Sequence, residues 1–408
     1  MKEKYISVHH IGARAGSRAF PIMSKFEKDI INVLYDADSD SIAQISEKNQ
    51  NNKSELHVFS YCLGEDQRYS TFNVNYDPYT SSLYEKNSDY DSYYFDYGNK
   101  GDYLVSETAR TVEKREIEMT SMDHLYQDKI VSVPPPDFLS LDTQGSEYEI
   151  LLGAKNILGS NCLALQLETM FHPLYKNQKL FGDINCLLSE QGFLLVNFLD
   201  LGELSPYRAP LGQRSKGFLV STDAFFIKDI DHLNIKDEYQ RYIMLNKLAF
   251  ISIIYHQFEY GLKCLNFAKK IMIDEKIKNE LESVVYYRFL KELEKQLECM
   301  PETYPKTFSQ RFTLEQSKRR FQSKSSYQDK NKAEQKDFFQ LLKNLIKNIP
   351  ILHNILISLR KKSSNSRKLF KYCFYLAFDI SPLEKVLKSY GLIEQAKCIK
   401  KKRYEGSL

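Results

Sequence analysis

The feature that most restricts the fold is an alternation of short apolar segments with helix-like segments at the start of the chain. Residues 6–11, 32–36 and 56–63 have the apolar character of buried strands. Residues 20–31 and 41–49, which lie between them, are predicted to be helices. Strands that alternate with helices at this spacing favour a parallel sheet with helical crossovers. The chain is therefore predicted to open as an α/β domain.

Two later strands repeat this design, and each ends in an acidic residue. Residues 138–142 form an apolar segment that ends at Asp142, and residues 163–168 form another that ends at Glu168. The other elements predicted in this part are helices at 122–126, 146–152 and 180–191, and strands at 115–120, 193–199 and 224–227. Together these strands predict one sheet that extends over roughly the first 230 residues.

The rest of the chain differs in composition from this α/β part. Residues 69–112 are rich in Tyr, Ser and Asp and are predicted to form a long insertion or a substrate-facing loop. After residue 230 the strand signals stop, and apolar residues recur at helical spacing from 238 to 297. We predict a helical domain or cap at 231–300, a polar linker at 301–335 and a basic helical region at 336–408.

Charge is distributed unevenly along the chain. Residues 341–408 contain 15 Lys or Arg and 4 Asp or Glu, a local charge of +11, so with the whole chain at +4 the first 340 residues carry −7. Basic residues here alternate with Leu, Ile, Phe and Tyr, which is typical of helices that lie on anionic membranes. A solvated helical face explains the pattern equally well, and nucleic acid is a weaker alternative because no reader motif accompanies the charge.

The cysteines and the first residues of the chain are informative about the cellular compartment of the protein. Seven cysteines are scattered without close pairs, which argues against a zinc site or a disulfide framework and favours a reducing compartment. The first residues lack the apolar core of a signal peptide, and no segment has the uncharged apolar length of a membrane span. We predict a cytoplasmic protein, with the basic region as a peripheral contact at the inner face of the membrane.

A glycine loop between the first strand and the next element is the first candidate ligand site. Gly12 and Gly16 follow the strand directly, and glycine lets a backbone pass close to a ligand. Asp36 ends the second strand about twenty residues later, where an acid can accept hydrogen bonds from ribose hydroxyls. The glycine spacing differs from the G-x-G-x-x-G dinucleotide fingerprint, so a nicotinamide or flavin cofactor is a poorer fit.

The second candidate is the segment Asp142–Glu147, which places an acid at the carboxyl edge of the predicted sheet. Ser146 and Glu147 also suit the start of a helix, so a capping role explains part of this pattern. Within 137–154 the sequence DFLSLDTQGSEYEILLGA resembles the DFLKIDVEGAELEVLKGA signature of FkbM-type methyltransferases. Residues 165–181, which include PLYKNQKLF, are similar to a second segment of that family, and Cys62–Gly64 and Ser81–Leu83 match shorter elements.

The resemblance covers the N-terminal half and implies several properties. It implies a Rossmann-like class I methyltransferase sheet with helices on both faces at residues 1–230, S-adenosylmethionine as cofactor, and methylation of hydroxyl groups on sugars or secondary metabolites. Gly12 and Gly16 would flank the methionine part and Asp36 would hold the ribose. The other positions assigned to the cofactor by the resemblance are His10, Ala13, Ala37, Leu63 and Asp142. His10 stands where an acid is usual, and Arg14 stands where Asn is common.

Methyl transfer to a hydroxyl also needs a base near the acceptor oxygen, in line with the sulfonium. Asp142, Glu168 and His172 are the catalytic candidates. Each also has a structural explanation: His172 precedes a proline and can bond a turn, and Glu168 can cap a helix. All three are suitable metal ligands, but their spacing does not demand a metal, and none is predicted.

The leading hypothesis is therefore an S-adenosylmethionine-dependent O-methyltransferase that acts on a sugar or glycoconjugate. Two other functions remain open. The changes at His10 and Arg14 are also expected in a binding or scaffold protein that keeps the fold within a surface-glycan assembly without catalysis. A different enzyme on the same α/β scaffold is the third, because a fold does not fix its chemistry.

Overall fold

A computed structural model describes most of the first 298 residues and one segment near the C-terminus. The described residues are 5–14, 20–21, 25–38, 41–43, 45, 55–96, 102–208, 216–233, 235–271, 274–298 and 381–397. The chain divides into two compact units, the first comprising Met1–Glu294 with Ser389–Leu392 and the second comprising Lys295–Lys388 with Ile393–Leu408. The predicted linker and most of the predicted basic region lie outside the described residues.

The described residues form a mixed α/β structure with a nine-stranded sheet and a smaller three-stranded sheet. The strands are β1 (Ile6–Ile11), β2 (Ile30–Tyr35), β3 (Glu55–Phe59), β4 (Cys62–Leu63), β5 (Arg68–Asn75), β6 (Tyr94–Asp96), β7 (Asp102–Leu104), β8 (Thr111–Thr120), β9 (Phe138–Leu141), β10 (Ala164–Met170), β11 (Phe193–Ser205) and β12 (Phe218–Lys228). The larger sheet has the order β3-β2-β1-β9-β10-β12-β11-β6-β7, and the smaller has the order β4-β8-β5.

Five strands of the larger sheet are parallel. In the register of this half, Ile6 pairs with Ile30 on one side of β1, and Val8 pairs with Phe138 on the other. Every residue of β1, β2 and β9 is buried, as expected for parallel strands that are covered on both faces. The early α/β prediction is thus confirmed for this part of the chain.

The predicted insertion or substrate-facing loop at 69–112 contains regular strands as well as irregular segments in its described residues. Strand β5 pairs antiparallel with β8, and β6 and β7 extend the edge of the larger sheet next to β11. The predicted strand at 56–63 is in fact two strands, because the chain leaves the larger sheet after Phe59 and enters the smaller sheet at Cys62. The β11 and β12 strands are also longer than predicted and form an antiparallel pair.

The helices lie between strands of the first unit and in a helical region after β12. They are α1 (Val105–Thr108), α2 (Met122–Gln127), α3 (Glu147–Leu152), α4 (Lys155–Ser160), α5 (Phe181–Glu190), α6 (Glu238–Ile254), α7 (Phe258–Lys269), α8 (Glu275–Glu282), α9 (Val285–Glu298) and α10 (Ser381–Ser389). No helix of this described part is both long enough and apolar enough to cross a membrane.

The predicted helix at 20–31 is wrong in its described part. A single 3-10 turn at Glu27–Asp29 leads directly into β2, which begins at Ile30. Side-chain packing overrides the helical spacing here: Phe26 is buried against Phe250 and Phe289, with ring centroids 5.0 and 5.5 Å away, respectively.

A buried ion pair joins the helical region to the sheet within the first unit. The Nζ of Lys247 on α6 lies 2.9 and 2.8 Å from the two carboxylate oxygens of Asp137, which directly precedes β9. The backbone N–H of Ser7 donates a third hydrogen bond to the same carboxylate at 2.8 Å. Since removal of one partner would leave an uncompensated buried charge, this pair fixes α6 against the start of the parallel strands.

Candidate functional site

The candidate site lies where the strand order of the larger sheet reverses. From β1 the chain proceeds to β2 and β3 on one side, and it later returns through β9 and β10 on the other. The loops that follow β1 and β9 therefore separate at the carboxyl edge of the sheet and leave a crevice between them. Open α/β sheets bind their ligands at such a position.

The loop after β1 is held by backbone contacts. Gly12 has a φ of +83°, and a Cβ on this residue would stand 1.8 Å from the backbone oxygen of Asp142. The N–H groups of Gly12 and Ala13 donate to the carbonyl of Tyr35 at 3.0 and 3.1 Å, and the N–H of Asp142 donates to Ile11 at 3.0 Å. Only glycine fits here, because both the conformation and the space exclude a side chain.

Asp36 follows β2 at the same edge. One of its carboxylate oxygens accepts the N–H of Asp38 at 2.9 Å, and the other accepts the hydroxyl of Ser41 at 2.8 Å. Burial raises the pKa of the Asp36 carboxyl, although both hydrogen bonds favour the charged form. The residue is thus a buried, oriented acceptor at the end of a central strand.

Arg14 connects the loop after β1 to its neighbours. Its guanidinium lies 3.0 Å from the carboxylate of Asp38 and 5.9 Å from the centre of the Tyr79 ring. Arg115 on β8 reaches the other oxygen of Asp38 at 3.4 Å. The nearly buried Asp38 side chain thus has two guanidinium partners, one from the loop after β1 and one from β8.

A cavity of about 280 Å³ occupies this crevice. One wall comes from the ends of β1 and β2 and includes Gly12, Arg14, Asp36 and Ala37. The residues of the opposite edge are Asp142, Thr143, Gln144 and Ser146. Leu63 and Cys62 from β4 also line the cavity, and the predicted insertion contributes Phe72, Pro78, Tyr79, Ser81 and Leu83.

The loop after β9 is held by the Glu147 side chain. The carboxylate of Glu147 accepts hydrogen bonds from the N–H of Thr143 at 2.8 Å, from its hydroxyl at 3.0 Å, and from the N–H of Gly145 at 3.0 Å. Gly145 itself has a φ of +115°. Burial raises the pKa of the Glu147 carboxyl, and these donors oppose that shift.

Gln144 brings the two acidic strand ends together. Its amide nitrogen lies 2.9 Å from Oδ1 of Asp142 and 2.7 Å from Oε2 of Glu168. Burial is the main cause that raises the pKa of Glu168 well above its ordinary value, followed by the charges of Asp142, Glu147 and Asp223. A hydrogen bond with the Asp142 side chain raises it further. The Glu168 carboxyl is therefore electrostatically linked to the acids around it.

Not all of the predicted residues line the cavity. Those that do are Gly12, Asp36, Ala37, Leu63 and Asp142, whereas Glu168 is not a lining residue and lies close to Asp142. Ala13 is a buried residue of the loop after β1, and Gly16 lies outside the described residues. His10 is buried, and its Nδ1 lies 2.7 Å from the hydroxyl of Ser140 on β9.

His172 has a different environment from the other two catalytic candidates. Its Nδ1 lies 3.3 Å from the hydroxyl of Tyr90, and the two rings meet edge to face with centroids 6.1 Å apart. The side chain is not among those that line the described cavity. The structure therefore brings Asp142 and Glu168 together and places His172 against the predicted insertion.

Two residues at the site were not assigned a role from the sequence. The sequence pattern gives Gln144 no role, and it gives Glu147 only the role of an acid at a helix start. Their positions are nevertheless informative, because Gln144 lies between the buried strand β9 and α3, and Glu147 is the first residue of α3. Ser81–Leu83 did carry a sequence signal, and Ser81 and Leu83 line the cavity.

Comparison with known proteins finds a family model that matches this part of the chain. Residues 10–195, less than half of the chain, match the model of the methyltransferase FkbM domain. No curated protein matches the sequence. A methyltransferase FkbM structure from Methylobacillus flagellatus KT is similar with a TM-score of 0.32 and 13% identity over 55% of this chain and 44% of that chain. A candidate RNA methyltransferase from Pyrococcus horikoshii gives a TM-score of 0.23 and 11% identity over 54% and 74%.

The coverage of these structures limits what they convey. The matched region spans less than half the length of the Methylobacillus flagellatus KT protein. At these scores neither structure informs the substrate. The assignment therefore depends on the family match at residues 10–195.

Proposed function

We propose that the FkbM methyltransferase domain carried by residues 10–195 binds S-adenosylmethionine in the cavity beside Gly12 and Asp36 and methylates a hydroxyl group of a sugar or glycoconjugate. The observation that carries this proposal is the coincidence of the family match with a cavity at the reversal point of the sheet. The acceptor class follows from the family resemblance. A class I methyltransferase sheet is the corresponding proposal for the fold.

The residues around the cavity suit this cofactor. Asp36 offers an oriented carboxylate for ribose hydroxyls, and Leu63 and Ala37 offer apolar surface for an adenine ring. Gly12 keeps the backbone after β1 free of side-chain bulk next to the cavity. The acidic side chains of Asp36 and Asp142 favour a ligand that carries positive charge.

Bound S-adenosylmethionine would supply the methyl group on a sulfonium, with the neutral thioether as the leaving group. The protein's own residues would manage the proton. Asp142 faces the cavity, so its carboxylate is placed to accept the proton that the acceptor hydroxyl loses. Glu168 adjoins Asp142, and Gln144 donates a hydrogen bond to each of them.

The first test is calorimetric titration of the protein with S-adenosylhomocysteine. We expect wild type to bind and Asp36→Asn to bind at least about tenfold more weakly, since a hydrogen bond to a charged group is lost. Asp66→Asn is the matched control, because Asp66 is an exposed acid that pairs with Arg68 and is not a lining residue. A melting curve for each variant separates lost binding from lost folding.

The outcomes discriminate between the candidate functions. Absence of binding by wild type would contradict the methyltransferase proposal and support a binding or scaffold protein that retains the fold. If binding is present, transfer of a labelled methyl group to a panel of sugars and glycans tests the acceptor class. Binding without transfer to any glycan would point to another reaction on the same scaffold.

The membrane contact of the basic region and the cellular location of the protein are two further proposals. Association of the basic region 336–408 with anionic membranes is tested by cosedimentation of the full chain with phosphatidylserine vesicles and with neutral vesicles. We expect binding to the anionic vesicles alone, and lower binding at high salt. A cytoplasmic location is a separate proposal, which the scattered cysteines support because they suit a reducing compartment.

A further inference from the structure

Gln144 has a conformation that is uncommon for its residue type. Its φ is +57°, in the left-handed region that non-glycine residues rarely occupy. Its backbone oxygen accepts the hydroxyl of Ser82 at 2.7 Å, which joins the loop after β9 to the segment after β5. The hydroxyl of Ser82 thus helps to hold the backbone of Gln144 in this strained conformation.

Both polar atoms of the Gln144 side chain have hydrogen-bond partners. The amide nitrogen donates to Asp142 and to Glu168, and its two hydrogens suffice for one bond to each carboxyl group. The amide oxygen lies 3.1 Å from the hydroxyl of Tyr175, which is itself 3.0 Å from the carbonyl of Thr80. The orientation of the amide is therefore fixed, with its donors directed at the two acids.

We propose that Gln144 is a positioning residue that holds the Asp142 and Glu168 carboxyl groups together and stabilises their ionised forms, so that the pair can accept the proton of the acceptor hydroxyl. This inference rests on the proposed methyl transfer. Asp142 remains the group that faces the acceptor, and Gln144 acts through it.

The electrostatic surroundings explain why the acids need an amide donor. Glu168 on β10 has Asp142 beside it, Glu147 on α3 near it, and Asp223 opposite it in the register of β10 and β12. Burial and these charges all disfavour ionisation of Glu168. A fully ionised pair is the stronger base, so donors that favour ionisation make that form accessible at lower pH.

The chemistry of the side chain accounts for glutamine in this position. The signature that the sequence resembles has glutamate here, and an ionised carboxylate has no hydrogen to donate. A glutamate in this geometry would add a third acceptor to the two acids. The amide has nearly the same shape and supplies two donors instead.

The test is a pH titration of the Glu168 carboxyl resonance by carbon-13 NMR, with labelled glutamate and an assignment from Glu168→Gln. In Gln144→Leu we expect the midpoint of the titration to rise by about one pH unit, because two donors to the charged forms are lost. Gln144→Asn is the second variant, since asparagine tolerates the left-handed backbone but is one methylene shorter. We expect its midpoint to rise as well.

Gln178→Leu is the matched control. Gln178 is a buried amide in the same cluster whose side-chain oxygen accepts the N–H of Tyr175. A purely structural amide of this kind, when removed, lowers the melting temperature without moving the Glu168 midpoint. An unmoved midpoint in folded Gln144→Leu or Gln144→Asn would overturn the proposal.

Titration of the same samples with S-adenosylhomocysteine separates this inference from the proposed function. A shifted midpoint in a protein that binds no cofactor analogue would leave the role of Gln144 toward the acid pair intact and contradict methyl transfer. An unshifted midpoint in a protein that does bind the analogue would contradict the role of Gln144 and leave the proposed methyl transfer intact.

Discussion

The loops after β1 and after β9 meet at one edge of the sheet but are held in different ways. The loop that contains Gly12 is fixed by backbone hydrogen bonds and by close contact with the backbone of Asp142. The loop from Asp142 to Ser146 is fixed by side chains, chiefly Glu147 and Gln144. The first has one arrangement set by chain geometry, whereas the second depends on the identity of individual residues.

This difference suggests that the two loops have different roles. A loop that the backbone determines can hold the constant part of a ligand, such as a cofactor, without specific side chains. A loop that carboxyl and amide groups determine can change its charge with pH, and under the proposed function it faces the acceptor hydroxyl. Substitutions on the two sides should therefore differ in kind as well as in size.

The largest effect is expected from Gly12→Ala. The new methyl group would stand 1.8 Å from the oxygen of Asp142 at a φ of +83°, so the ends of β1 and β9 must separate. We expect a loss of unfolding free energy of at least about 3 kcal/mol, which urea denaturation measures.

Gly182→Ala is the control for this substitution. Gly182 lies in α5, where an added Cβ meets nothing within 4 Å. Alanine there should stabilise the protein by up to about 1 kcal/mol, because it has the higher helix propensity. Similar losses in both variants would show that close backbone contact does not set the loop after β1.

The next largest effect is expected from Glu147→Ala. This change leaves the N–H groups of Thr143 and Gly145 without their carboxylate acceptor, and we expect a cost of about 2 kcal/mol in urea denaturation. Glu147→Gln keeps an oxygen acceptor and should cost less than half as much. Glu149→Ala is the control, since its partners Arg68 and Tyr84 are side chains nearer the surface. Equal costs at 147 and 149 would contradict the role of Glu147.

The sequence predicted the parallel half of the fold well for a physical reason. Strands such as β1, β2 and β9 are buried on both faces, so their apolar runs have no other stable position. The antiparallel part was less readable, because β5 and β8 mix exposed and buried positions and their pairing depends on distant residues. The helix expected at 20–31 failed because the packing of Phe26 outweighs local periodicity.

The site was predictable to the extent that the backbone determines it. Gly12, Asp36 and Asp142 follow buried strands, and the carboxyl ends of neighbouring strands must converge. The pairing of Gln144 with Glu168 depends on a left-handed turn and a side-chain rotamer, which leave no periodic mark in the sequence. The contact of His172 with Tyr90 likewise depends on how residues 69–112 fold back on the sheet.

A smaller, pH-dependent effect is expected from Glu168→Gln. The pKa of Glu168 is raised in the folded protein, so folding retains a proton that the unfolded chain releases above its own pKa. Wild-type stability should therefore fall as pH rises from about 5 toward the pKa of the folded state, and the fall should be smaller in Glu168→Gln. Part of the fall should persist, since burial also raises the pKa values of Asp36 and Asp223. Urea midpoints measured across this pH range provide the comparison.

Glu85→Gln is the control for this pH dependence, because the pKa of Glu85 is shifted in the opposite direction to that of Glu168. Lys114 and Lys176 lower the pKa of exposed Glu85 to about 2, so any stability that it contributes is lost only as pH falls through the acid range. Above pH 5 its slope should equal that of wild type. Equal slopes for wild type and Glu168→Gln would show that Glu168, which contacts the loop after β9 through Gln144, does not cause the pH dependence of stability.

The smallest effect is expected from Arg14→Gln. Arg14 is the side-chain contact of the loop that the backbone otherwise fixes, and Arg115 still reaches Asp38 when it is removed. We expect a cost below about 1 kcal/mol at low salt and less at 1 M salt, as for other partly exposed ion pairs. The double variant with Arg115→Gln should cost more than the sum of the two single changes, because the buried Asp38 carboxylate then loses both guanidinium groups. If Arg14→Gln alone costs as much as Glu147→Ala, side chains determine both loops, and the contrast between them does not hold.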